Sequence, residues 1–167
     1  NYEQKSSKNT NNLVGFYSAI MMVIITIITF GLAMTAIPDA GAFCPENCLE
    51  YPYLDQLSQY PQDYLWMYPA ILMMLNYLVL MVSIHFYATE EKKIFSQISV
   101  YLAIITTIIL IATYFIQFTV IPASLKSGET EGIAILTQYN SHGAFIALEE
   151  LGYLMMSLSF LTVSPGF

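Results

Sequence analysis

The apolar positions of this chain fall in four long runs, Leu13 to Ile37, Trp66 to Tyr87, Ile98 to Ile121 and Gly143 to Val163. Each is long enough to cross a hydrocarbon core, which takes about 20 helical residues. None shows the alternation of apolar and polar positions that marks a strand of a membrane barrel. The pattern predicts an all-α membrane protein, a bundle of four transmembrane helices, with residues 1–12 as a polar tail and 13–167 as one transmembrane domain. The chain begins at Asn1 without Met and stops soon after an apolar run, so four spans is a minimum expectation.

Composition agrees with the pattern. Of 167 residues, 56% are hydrophobic and 10% charged, against roughly 25% charged in soluble domains. The formal net charge is −7 and Arg is absent, which excludes nucleic acid as a partner because a phosphate backbone would be repelled.

The lysines orient the spans, since positive residues in short loops favour the cytoplasmic side. Lys5 and Lys8 precede the first run, and Lys92 and Lys93 separate the second from the third. The 38–65 loop instead carries Asp39, Glu46, Glu50, Asp55 and Asp63 without a lysine. A multi-pass protein of the cell membrane is expected, with both termini cytoplasmic and loops 38–65 and 122–142 extracytoplasmic; Lys126 alone opposes this. A cleaved signal peptide ending at Ala40-Gly41-Ala42 is the rival reading, but its apolar run is longer than the about 7–15 residues of a signal h-region.

The long loop between the first two spans is rich in Pro and Tyr and leads into Trp66 and Tyr68. Such rings favour the headgroup level, so the loop is expected to lie against the membrane surface as an aromatic belt; a docking platform for a partner is the sharper alternative. Pro61 followed by Gln62 and Asp63 reads as an early helix start, with a bend near Pro69. Cys44 and Cys48, on the side expected to be oxidising, are spaced for a small structural disulfide. A redox pair would more typically read C-x-x-C, and a zinc site would need about four ligands where only Glu46 and Glu50 are near. No metal and no cofactor is therefore expected.

Polar residues within the runs carry the functional question. Glu149 and Glu150 lie about a third of the way into the last span. Two ionised carboxylates at a helix centre cost about 5–7 kcal/mol, and the nine Leu, Ile, Phe and Val residues of that span return only about 3–5 kcal/mol. The span needs help from protonation, from neighbouring helices or from a wet cavity. Helical spacing puts His142, Glu149 and Tyr153 on one face, while Glu150 points about 100° away, toward another helix or a partner. Tyr114 and Gln117 fall at similar depth on the third span and Asn76 near the middle of the second, so helices two, three and four are expected to share one polar cluster. Taken alone, Asn76 and Gln117 read as interhelical glue. His85 reads as an interfacial histidine, and Gly31, Gly143, Ala147 and Gly152 as points of close helix approach.

The segments Ser127-Gly128-Glu129-Thr130-Glu131-Gly132, Asn140-Ser141-His142-Gly143 and Ala147-Leu148-Glu149-Glu150-Leu151-Gly152-Tyr153 resemble a group of prokaryotic polytopic integral membrane proteins. The resemblance spans Gln117 to Tyr153; it implies membrane embedding and brings no activity, cofactor or catalytic residue. Three functions remain open: a non-catalytic accessory or structural membrane subunit, partnered by lipid, other membrane subunits or further copies of itself; a carrier or receptor for a proton, ion or small amphiphile that uses the carboxylate cluster; and an intramembrane enzyme acting on a lipid-like substrate. The enzyme reading is the weakest, because His142 and Glu149 would stand about 10 Å apart along a helix and no nucleophile, H-E-x-x-H or phosphate-loop motif accompanies them.

Overall fold

A computed structural model describes residues 2–36, Cys44, Glu46 and 48–164, with side chains from Thr10 onward. Among the described residues five α-helices form: α1 (Tyr2–Thr35), α2 (Met67–Tyr87), α3 (Lys93–Lys126), the single turn α4 (Ile133–Leu136) and α5 (Ala144–Val163). Four stretches among the described residues are helical, long and apolar enough to cross a membrane: Thr10–Thr35, Gln62–Tyr87, Glu90–Lys126 and Ala144–Val163. The proposed cleavage site at residues 40–42 lies outside the described residues, as do 165–167.

Local chemistry sets the helix ends. Before α2 the chain coils through two 3-10 turns, Leu54–Gln59 and Gln62–Tyr64, the second starting at Pro61 as the sequence implied. Pro69 then falls in the first turn of α2, where a missing N–H removes no intrahelical bond. α3 runs through Pro122 to Lys126, further than its apolar run indicated. Its 34 residues measure roughly 50 Å, well beyond the about 30 Å thickness of a hydrocarbon core. Gly143 caps α5 in an extended conformation, and a Cβ there would meet the Ile135 carbonyl oxygen at 2.9 Å, so only glycine lets the chain close up before the helix.

α3 is the central element. It packs against α2 on one side and α5 on the other, while α1 packs on α2. Of the most apolar part of α1 only 11% of residues are buried, against 39% for α2, which makes α1 the peripheral helix. The core lies along α3 in two clusters. One gathers Tyr64, Met67, Met74, Leu110, Tyr114 and Phe145, and the other Tyr77, Met81, Ala103 and Val163.

The α3–α5 seam is the tightest contact. A Cβ on Gly152 would stand 2.5 Å from Leu110 Cδ2, and Leu110 is fully buried. Further along, Ser99 and Ser159 exchange reciprocal bonds, each hydroxyl donating to the other's carbonyl at 2.8 Å. These bonds satisfy polar groups that are fully buried, and they fix which turn of α5 faces which turn of α3.

Candidate functional site

Three of the sequence-selected residues converge where α3 and α5 pass each other. The Tyr114 hydroxyl, fully buried, donates to Glu149 Oε1 at 2.9 Å. It also lies 3.2 Å from the Tyr153 hydroxyl. A phenol has one proton, and that of Tyr114 is committed to the carboxylate, so Tyr153 is the donor in the second bond. The result is a directed chain, Tyr153 to Tyr114 to Glu149, whose outer member is 41% exposed and whose middle member is sealed in the core. Trp66 packs edge-on against Tyr114 at 5.2 Å and Phe145 lies 6.1 Å away, so aromatic rings wall the carboxylate's partner off from the opposite helix. The arrangement can hold a negative charge or a proton at Glu149 and relay hydrogen-bond polarity to an accessible phenol.

The other candidates lie elsewhere. His142 is exposed and precedes α5; its Nδ1 sits 3.2 Å from Ser141 Oγ. Helical spacing from His142 to Glu149 therefore does not apply, because the helix starts only at Ala144. Asn76 turns away from α3 and donates to the Ser18 carbonyl on α1 at 2.8 Å. Gln117 grips the loop before α5, donating to the Leu136 carbonyl at 2.6 Å and accepting from the Gln138 N–H at 3.0 Å. Helix two thus supplies hydrophobic packing rather than a polar side chain to the Glu149 cluster. Glu150 is exposed, consistent with its turning to a different face from Glu149. Among the described residues, no three His, Cys, Asp or Glu side chains converge as metal ligands would.

A second polar assembly joins the two loops at one end of the bundle. Gln56 is fully buried; its amide donates to the Tyr53 carbonyl at 2.7 Å and its Oε1 accepts from Thr137 at 2.6 Å and from Tyr64 at 3.4 Å. Beside it, the Tyr139 hydroxyl donates to Asp63 Oδ2 at 2.7 Å. Burial, then the bond to Asp63 and the nearby Tyr64 and Asp63 charges, push the Tyr139 phenol above its ordinary value of 10.0. Lys126 reaches over the Tyr60 ring at 5.1 Å and completes this cap. The aromatic loop is thus partly interior: Tyr64 is buried, whereas Tyr51 and Tyr68 remain exposed. None of Gln56, Thr137 and Tyr139 stands out in the sequence, because their partners lie as far as 81 residues away. Cys44 and Cys48 are joined in the same loop, with Cα atoms 5.8 Å apart.

Compared with family models, curated proteins and solved structures, the chain matches none. The functional reading therefore rests on the geometry.

Proposed function

We propose that this chain is a non-catalytic, multi-pass subunit of the cell membrane, a structural or accessory component with both termini cytoplasmic and the hydrogen-bonded cap outside. The observation that carries this reading is the use of its polar side chains. Ser99, Ser159, Thr107, Asn76 and Gln117 each bond to a different structural element, which is the pattern of groups that hold a bundle together. Glu150, exposed on α5 among Leu148, Leu151 and Leu154, gives the outward face of that helix a polar mark for a neighbouring subunit or a lipid headgroup. The sidedness follows from the distribution of lysines.

Two measurements test this. Cysteine accessibility from each side of intact cells should label position 131 from outside and position 91 only after permeabilisation; the reverse pattern overturns the topology. Glu149→Gln should leave every activity of the membrane complex that contains the chain unchanged, and loss of activity with the complex intact overturns the non-catalytic reading.

The directed chain at Glu149 favours one second reading, a carrier or receptor for a proton, ion or small amphiphile. Its sign would be an infrared carboxyl band that appears and disappears when a proton gradient is imposed on reconstituted protein and is absent from Glu149→Gln. An invariant band leaves only the structural role.

A further inference from the structure

The end of the bundle opposite the cap carries a feature that neither reading uses. Between α1 and α2 two open cavities adjoin, sharing Asn11 and Phe86 in their linings. The first, about 300 Å³, is bounded by Val14, Leu78, Val79 and Val82. Its one hydroxyl, on Ser83, donates to the Val79 carbonyl at 2.8 Å, so the shared Asn11 is the polar side chain left to an otherwise apolar compartment. The second, about 330 Å³, is bounded by Asn12, Thr89 and Glu90 near the α2–α3 turn. Among the described residues neither Asn11 nor Asn12 donates its amide to a partner in the chain. An apolar slot opening into a polar one is the shape of an amphiphile's binding site.

Charge decides which amphiphile. Among the described residues, the charged residue bounding the polar compartment is Glu90, which pairs with Lys93 at 2.6 Å on the exposed surface where water screens the pair. A head carrying a primary ammonium offers N–H donors to Glu90, while its phosphate accepts from the Asn11 and Asn12 amides and the Thr89 hydroxyl. A purely anionic head would set like charge against Glu90. Phe86 and Val79, 62% and 45% exposed, leave the slot open sideways, so an acyl chain can enter from the bilayer without the helices separating. We propose that this two-part groove holds one phospholipid with a primary-amine head, its chain along Val79 and Val82 and its ammonium at Glu90.

The test uses the full chain, purified in mild detergent, exposed to phosphatidylethanolamine, phosphatidylcholine or phosphatidylglycerol and examined by native mass spectrometry. The expected result is a single retained phosphatidylethanolamine, preferred about tenfold over phosphatidylglycerol and less strongly over the fully methylated choline lipid. Val82→Trp fills the slot and should reduce retention about tenfold; Glu90→Gln should keep lipid bound but bring the amine and glycerol lipids within about twofold of each other. Equal retention of all three lipids by the wild-type chain overturns the proposal, as does retention unaffected by Val82→Trp. Should Val82→Trp melt early, the Glu90→Gln comparison decides alone, because Glu90 lies on the surface turn and contributes to no core cluster.

Discussion

The two outer seams of the bundle are made of similar amounts of apolar helix, yet they are held in different ways. Along α3–α5, a glycine sits against a buried leucine, two serines exchange bonds and a tyrosine engages a carboxylate. Along α1–α2, the approach at Gly15 is looser, with a Cβ there 3.3 Å from Ser83 Cβ, and the polar links among the described residues are the Asn76 amide, which donates to the Ser18 carbonyl at 2.8 Å and to Met22 Sδ at 3.8 Å, and a Thr26 contact with Met73 Sδ at 3.3 Å. In a bilayer, apolar surface gives little reason for one helix to prefer another over lipid, so packing detail and hydrogen bonds decide the strength of a seam. The α3–α5 pair is therefore the frame, and α1 is the helix between which and α2 a lipid finds room.

Breaking the contrast begins at the glycines. Gly152→Ala should destabilise the detergent-solubilised protein by about 1–3 kcal/mol in thermal or denaturant melts, because the new methyl overlaps Leu110, whereas Gly15→Ala should change it by less than about 1 kcal/mol. Equal effects at the two sites would erase the distinction. The Ser99→Ala/Ser159→Ala double variant should lose about 1–2 kcal/mol, somewhat less than the two single losses added, because the two hydroxyls also lie 3.0 Å from each other although each bond's carbonyl acceptor survives the other substitution. Full additivity in that cycle would mean the two bonds act independently.

The cap supplies the next test. Tyr139→Phe should loosen the loops by about 1 kcal/mol, seen as faster proteolysis within residues 127–141 while the helices stay intact. Tyr139 holds its proton more tightly folded than unfolded, so its contribution is complete below the ordinary value of 10.0 and is lost as pH rises above it. Alkaline loosening of the cap should therefore begin near pH 10 in the wild type and be weakened in Tyr139→Phe. The smallest effect is expected from Asn76→Ala, about 0.6 kcal/mol, with α1 becoming easier to crosslink away from α2 and the α3–α5 seam unchanged.

How much of this was legible in the sequence follows from the range of each interaction. The spans declared themselves because hydropathy is summed over some twenty neighbouring positions. The meeting of Tyr114, Glu149 and Tyr153 was also foreseeable, since two residues share a helix and the third lies at matching depth. His142 was misplaced because helical spacing was extended past Gly143, where the backbone is already extended. Asn76 and Gln117 bond to α1 and to the stretch from Leu136 to Gln138 rather than into the Glu149 cluster, since depth along a helix says nothing of the direction in which a side chain faces. The Gln56 and Thr137 pairing had no local signature at all; only the folded chain brings the two loops to the same end.

The α3–α5 seam has one more implication. Its three contacts occur at separate heights, running from Ser99 through Leu110 to Tyr114 on one helix and from Ser159 through Gly152 to Glu149 on the other. A slip by a single turn, about 5.4 Å, would break all of them together. Such a pair behaves like a key with several teeth: it has one seating, and any motion that accompanies the protein's work must pivot around it.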